Sequence, residues 1–352
     1  MYLWARPMTT HASDQAGGQP KAQGASPPGH RISIALCTYN GAHFLEPQLE
    51  SYLAQTRLAD ELVVCDDGST DDTLAMLESF AQRAPFPVRL ERNCERLGST
   101  KNFEKAIGLC TGELIATSDQ DDIWLPHKLA LNEAGFDVDP KRGLVFSDAE
   151  VVDEDLRPMG YTQWQAIQLG PWQKWQVRKD EAFAVLLRQW LVTGATMMFR
   201  ASYLPSVLPI PECWTHDGWI AFIIGAMAPV GLLDSSTVLY RQHGGQQIGG
   251  RKLGWRELYE VAKTVGPEYF QVTHERFLLA RERLRAFAPR LRDPKYLDLL
   301  DRKVEHQRRR LAIAESRSRV QKVTWTLDEL VHWRYQRFAP ATTTHCLKDL
   351  LF

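Results

Sequence analysis

Between Arg31 and Phe146 one pattern repeats: a short apolar run, then an amphipathic stretch about three helical turns long. Ile32–Leu36, Leu62–Cys65, Val88–Leu90, Leu114–Ala116 and Leu144–Phe146 read as strands, and Phe44–Ala54, Asp71–Gln82, Thr100–Leu109 and His127–Phe136 as the helices between them. Strands recurring every 25 to 30 residues in this way are those of βαβ units. Such units force neighbouring strands parallel and put helices on both faces of the sheet. The expected fold class is therefore α/β, with a mostly parallel, Rossmann-like sheet. Ligands of such sheets bind outside the carboxyl ends of the strands. This chain places its unusual residues there.

The fourth run, Leu114 to Trp124, ends in three carboxylates, Asp119, Asp121 and Asp122. Acids this close repel one another, and a divalent cation relieves that cost because hard cations prefer carboxylate oxygens. The plain alternative is a polar loop facing water. After the first strand comes Cys37-Thr38-Tyr39-Asn40-Gly41, a polar turn. After the second comes Asp66-Asp67-Gly68-Ser69, where capping of the next helix needs only the Ser or Thr, so the two acids suit hydrogen bonds to a nucleobase or ribose. Lys101 at the start of the third helix is either a phosphate contact or an exposed cation.

Beyond residue 150 the alternation loosens. Asp148 to Asp155 is acidic, and Trp164 to Trp175 is aromatic, which suits either an excursion that stacks on a sugar or part of the core. Gly194 lets backbone approach a ligand closely or simply makes a tight bend. Asp217, before the apolar Ile220–Met227 helix, is an N-cap or a base. Arg241 and His243, beside paired glycines, fit a loop closing on a phosphate or a metal.

In their order along the chain, Thr38-Tyr39-Asn40-Gly41, Asp66-Asp67-Gly68-Ser69, Lys101-Asn102, Asp119-Gln120-Asp121-Asp122-Ile123-Trp124, Thr193-Gly194, His216-Asp217-Gly218-Trp219 and Tyr240-Arg241-Gln242-His243-Gly244 resemble the inverting glycosyltransferases of family 2, which have the GT-A fold. The resemblance covers residues 31–250. It implies that Thr38, Asn40, Asp66, Asp67, Lys101, Asp119, Gly194 and Arg241 bind a nucleotide-sugar. It further implies that Asp119, Asp121 and His243 hold Mg²⁺ or Mn²⁺, with Asp121 the direct ligand, and that Asp217 is the general base. The wording around Asp119 and Arg241 is similar to bacterial rhamnosyltransferases, implying dTDP-rhamnose or a UDP-sugar as donor. The acceptor implied is a glycan or lipid-linked glycan in surface polysaccharide synthesis. A catalytically silent sugar-nucleotide-binding module of an assembly complex is the alternative.

Composition narrows the partners. Residues 1–250 carry 20 basic and 30 acidic side chains and residues 251–352 carry 22 and 13, which together make the whole chain's 42 and 43. An acidic front half argues against nucleic acid as its ligand. The six cysteines show no zinc-type spacing and read as reduced packing residues of a cytoplasmic protein. Met1 to Met8 has no long apolar core, so no secretory signal is expected, and Trp219 to Leu233 is too short for a membrane span. Residues 1–30, rich in Gly, Pro, Ala and Ser, read as a disordered arm. Residues 251–352 read as a helical, basic C-terminal extension. Its Arg308-Arg309-Arg310 run and Trp325, Trp333, Tyr335 and Phe338 suit either a solvated face or peripheral contact with the inner face of the cell membrane.

Overall fold

In a computed structural model of the chain, residues 29–244, 266–339 and 349 are described. The expected N-terminal arm lies outside them except for its last two residues. Strands β1 (Ile32–Thr38), β2 (Glu61–Asp66), β3 (Val88–Arg92) and β4 (Leu114–Ser118) alternate with helices α1 (Ala42–Leu53), α2 (Thr73–Arg83) and α3 (Ser99–Leu109). The four strands are parallel, in the spatial order β3-β2-β1-β4.

Burial on both faces explains why these strands are nearly continuous apolar runs. Ile32, Ile34 and Leu36 face one core with Leu62, Val64 and Leu49, whereas Ala35, Cys37 and Cys65 face another with Phe103 and Ile107 of α3. Successive residues of one strand thus hold helices against opposite faces. The described cysteines are free, with Cys37 and Cys65 buried.

The second half departs from the parallel expectation. It contains β5 (Ile123–Trp124), α4 (Lys128–Val138), β6 (Leu144–Val152), β7 (Pro158–Thr162), β8 (Met197–Arg200) and β9 (Val230–Arg241). β8 inserts antiparallel between β4 and β6, β9 runs parallel to β6, and β5 pairs antiparallel with β9. The sheet is therefore mixed. β6 outruns its apolar stretch because its polar residues are paired inside: Ser147 Oγ lies 2.6 Å from Thr237 Oγ1, and Asp148 Oδ1 accepts from Trp164 N at 2.9 Å. The hairpin with β7 then turns the chain back. Helices α5 (Gln163–Ala166), α6 (Pro171–Arg178), α7 (Ala182–Leu186) and α8 (Leu204–Val207) are short connectors, and α9 (His216–Met227) is almost wholly buried. Trp164 joins the core beside Phe146, while Trp172 and Trp175 stay exposed.

Helices α10 (Pro267–Ala286), α11 (Lys295–Glu315), α12 (Arg319–Val331) and α13 (Arg334–Phe338) form the C-terminal part. Phe277, Leu284, Tyr296 and Leu300 join the same apolar cluster as Phe222 of α9, so this part shares a core with the sheet. The expected basic face does not form at Arg308-Arg309-Arg310. Arg308 and Arg309 pair with Glu305, and Arg310 is buried against Asp349 at 2.6 and 2.7 Å. Among the described residues no helix is long and apolar enough to cross a membrane.

Candidate active site

The tips of β1 and β2 are knitted together by the side chains that the sequence offered to a nucleotide. Asp66 is fully buried, and its carboxylate accepts from Thr38 Oγ1 at 2.8 Å, Ser69 Oγ at 2.5 Å, Ser69 N at 2.8 Å and Gly68 N at 3.1 Å. Four donors saturate a carboxylate. Asp66 and Thr38 therefore shape the turn. Asp67 accepts from Leu97 N at 2.7 Å, Gly98 N at 2.8 Å and Asn93 Nδ2 at 2.9 Å, and so holds the loop that leads into α3. Asn40, at φ 46°, accepts through Oδ1 from Thr70 N at 2.9 Å while its own N–H donates to Ser69 Oγ.

Lys101 is likewise committed elsewhere. Its Nζ donates to Glu104 Oε2 at 2.8 Å and to the Ile210 carbonyl at 2.7 Å, tying α3 to the chain before α9. Two of its three N–H donors are used in this way.

The acid cluster sits just past β4. Gln120, between two of its acids, grips the first turn from both sides: Oε1 accepts from Tyr39 N at 2.8 Å and Nε2 donates to Tyr39 O at 3.1 Å. A Cβ on Gly41 would lie 2.2 Å from Gln120 Oε1, so only glycine admits this clamp. Arg241 is buried beneath the cluster. It donates through Nε to the Asp121 carbonyl at 2.7 Å and through Nη1 to the Glu154 carbonyl at 2.8 Å, and its backbone N–H meets Asp122 Oδ1 at 3.1 Å. Arg241 thus braces the acid loop. Asp122, fully buried, is pushed well above the usual carboxylate range by burial and then by Asp121 and Asp119. Burial lowers the nearby Lys128 to about 7, with Asp122 opposing that shift.

What remains at the mouth is Asp119, Asp121 and His243. Asp121 Oδ2 and His243 Nε2 stand 2.8 Å apart, and the His243 ring packs 4.4 Å from that of Phe44. Asp119 is raised to about 8, first by burial and then by the charges of Asp121 and Asp217. Thr117, two residues before Asp119, donates to the Gly194 carbonyl at 2.7 Å, and Gly194 N in turn donates to Asp217, which brings the Asp217 carboxylate close to the cluster.

Asp217 lies in the first turn of α9, where Thr215 is the cap. Its Oδ1 accepts from Thr215 Oγ1 at 2.5 Å and Gly218 N at 2.6 Å, and its Oδ2 from Gly194 N at 3.1 Å. One lone pair of Oδ2 is left for another partner. Gly194 is buried, and a Cβ there would lie 2.6 Å from His216 Nε2. The close approach it permits is to the α9 turn. His216 stacks on Phe103 at 3.7 Å, which fixes that turn from the other side. Gln120, His216 and Arg96, whose guanidinium lies 3.9 Å over the Tyr39 ring, were not singled out from sequence. Only the position of Gln120 between the acids hinted at a role.

The donor set suits a hard divalent cation: an Asp119 carboxyl held above the usual range by burial and then by neighbouring acids, with Asp121 and an imidazole alongside. Among the described residues, however, no group of three or more His, Cys, Asp and Glu side chains can hold a metal by itself. That is the arrangement expected where one or two carboxylates and the phosphates of a substrate share the ion.

A mixed α/β sheet with acids at the strand tips and a fixed carboxylate opposite defines a GT-A-like fold. Residues 33–204, just under half of the chain, match the family model of glycosyl transferase family 2. An uncharacterised glycosyltransferase of Nostoc sp. is 28% identical over 220 residues, which span 61% of this chain and 65% of that protein. Another, of Rickettsia conorii, is 26% identical over 233 residues, 63% of this chain and 35% of its own length. The chain thus spans less than two thirds of these relatives. The crystal structure of residues 1–349 of S. aureus TarS in complex with UDP-GlcNAc superimposes with a TM-score of 0.56 at 14% identity, covering 91% of this chain and 90% of that one.

Proposed function

We propose that the chain is an inverting, metal-dependent glycosyltransferase that moves a sugar from a nucleoside diphosphate to a glycan or lipid-linked glycan acceptor. The observation that carries this reading is the Asp217 carboxylate, held by three hydrogen bonds beside the Asp119–Asp121 pair. Asp217 takes the proton of the acceptor hydroxyl as that oxygen attacks the anomeric carbon opposite the leaving diphosphate. A single in-line displacement of this kind inverts the configuration and needs no covalent sugar–enzyme step. Asp119, Asp121 and His243 would hold Mg²⁺ or Mn²⁺, which, when bound, neutralises the diphosphate oxygens as the bond to the sugar breaks. Thr38, Asn40, Asp66 and Asp67 fix the backbone of the turns against which base and ribose would lie. Arg241 supports the acid loop from below.

The donor proposed is dTDP-rhamnose or a UDP-sugar. TarS was solved with UDP-GlcNAc, which makes that compound one member of the donor panel. Contact with the inner face of a membrane belongs to the same proposal. It is supported by α12, whose Val320, Val323, Leu327 and Val331 form one exposed apolar stripe at helical spacing, with Trp333 exposed just beyond.

The test is release of nucleoside diphosphate from a panel of sugar nucleotides with Mg²⁺, Mn²⁺ or EDTA, using acceptor-containing membrane extract. Metal-dependent release from one donor is expected, lost in Asp121→Asn together with donor binding. Asp217→Asn should retain donor binding and lose transfer. Substantial transfer by Asp217→Asn would remove the base assignment.

A further inference from the structure

The residue after Asp217 borders a second space. A cavity of about 240 Å³ lies between residues 186–192, the start of α9 and the C-terminal helices, with Gly218 in its wall. Trp190 packs against Gly218 and, with Trp214 and Phe277, gives the cavity an aromatic side. Its other side is cationic, with Arg188, Arg276, Lys303 and Arg310.

Three of these cations meet no carboxylate among the described residues. Lys303 is 4% exposed, donates one bond to the Phe338 carbonyl at 2.8 Å and sits 4.6 Å over the Phe277 ring. Arg188 donates to the Ala339 carbonyl at 3.2 Å, and Arg276 to the Cys213 carbonyl. Only Arg310 is neutralised, by Asp349. Burial, and then the charges of Arg310 and Arg188, drive Lys303 well below the ordinary lysine range. Burying Lys303 without a counter-charge among the described residues costs the fold stability, and the half-buried Arg188 and Arg276 add like charge beside it. An anion from outside would repay that cost, and the aromatic side supplies an apolar surface next to it.

We propose that this cavity binds the phosphate or diphosphate of an apolar alcohol, with the anion at Lys303, Arg188 and Arg276 and the chain along Trp190, Trp214 and Phe277. The volume is below the usual range for a drug-sized ligand, so it suits a headgroup and the start of a chain. Because Gly218 adjoins Asp217, the ligand would sit on the acceptor side of the reaction. That assignment of side rests on the reading of Asp217 as the base.

Isothermal titration of the full chain with geranyl diphosphate, in EDTA so that metal-dependent sites are silent, tests the proposal against geraniol and inorganic diphosphate. Geranyl diphosphate should bind at least about tenfold more tightly than either control, since each lacks one half of the recognition. Lys303→Met should weaken it by about tenfold or more, the loss of one charge-assisted contact, while metal-dependent donor binding stays as in the wild type. Equal affinity for inorganic diphosphate means a free-anion site, and equal affinity for geraniol means an apolar one. Either result, or unchanged binding in Lys303→Met, overturns the proposal. Should Lys303→Met fail to fold, Arg276→Gln provides the same comparison. Donor binding is read separately, so failure here leaves the glycosyltransferase reading standing.

Discussion

Replacing Gly194 by alanine sets a contact in the fold against the position of the base. The added Cβ would lie 2.6 Å from His216 Nε2 and 3.5 Å from Asp217 Cβ. Ordinary van der Waals contact begins near 3.4 Å, so the turn must open by about 0.8 Å. His216 cannot yield easily, because its ring is stacked 3.7 Å from Phe103 at an interplanar angle of 18° and both residues are buried. The displacement is therefore expected to fall on the first turn of α9 or on the Gly194 backbone, and either stretches the 3.1 Å bond from Gly194 N to Asp217 Oδ2. Overpacking of this kind costs about 1–3 kcal/mol of stability. A misplacement approaching 1 Å at a catalytic group costs on the order of 10²-fold in rate. Gly194→Ala should thus lower kcat by about 30- to 100-fold in nucleoside diphosphate release, with the donor KM changed less than about twofold, since the atoms nearest the added Cβ belong to His216 and Asp217. Adding His216→Ala removes the obstructing ring and should recover most of the kcat. A kcat within about twofold of wild type in a folded Gly194→Ala protein would refute the idea that this contact positions Asp217.

Two further outcomes are expected. Lys128 has a folded-state value of about 7 against an ordinary 10.5, so between those values the unfolded chain carries a proton that the folded chain does not, and stability rises with pH across that window. The penalty is complete below about pH 7; Lys128→Met should remove it, adding up to about 5 kcal/mol there and less at higher pH, and urea unfolding that shows parallel pH profiles for both proteins would contradict this. On the α12 face, the triple change Val323→Glu, Leu327→Glu and Val331→Glu should abolish flotation with vesicles containing phosphatidylglycerol, and flotation that persists would exclude the stripe as the membrane contact.

How much of this was legible in the sequence depends on the range over which each residue finds its partner. The first four strands and three helices were readable because burial on both faces writes an unbroken apolar run at each strand and a helical period between. β8 was readable as a buried strand at Met197–Phe199, but not as an antiparallel insertion, because that is a matter of pairing with β4 and β6, far off in the sequence, and not of any local pattern. The polar residues divide differently. Asp66, Asp67, Lys101, Arg241 and Arg310 all stand out in the sequence as charges in want of a role. Asp66 finds its donors within 3 residues and from Thr38, Asp67 reaches 30 residues to Leu97, and Arg241 reaches 120 to Asp121. Arg310 reaches 39 to Asp349. Such pairings leave no trace in spacing, so charges that hold the fold look from sequence like charges that hold a ligand.

Assigning every internal partner separates the two kinds. No donor among the described residues reaches the Asp119 carboxylate, and Asp121 has only His243 at its side chain, although both sit in a cluster where charge is costly. Fold stability alone gives no reason to keep that pair, because a buried acid without a donor, with another acid close by, destabilises whatever holds it. A cation shared with a diphosphate does give one. Asp217 is the converse case, bonded on both oxygens and so fixed in direction, yet with capacity left on Oδ2. Crowded and unsatisfied suits a metal ligand, whereas oriented and nearly satisfied suits a base. On the proposed reading the hydrogen bonds thus separate the two functions between different carboxylates, a distinction that aspartate positions in the sequence do not contain.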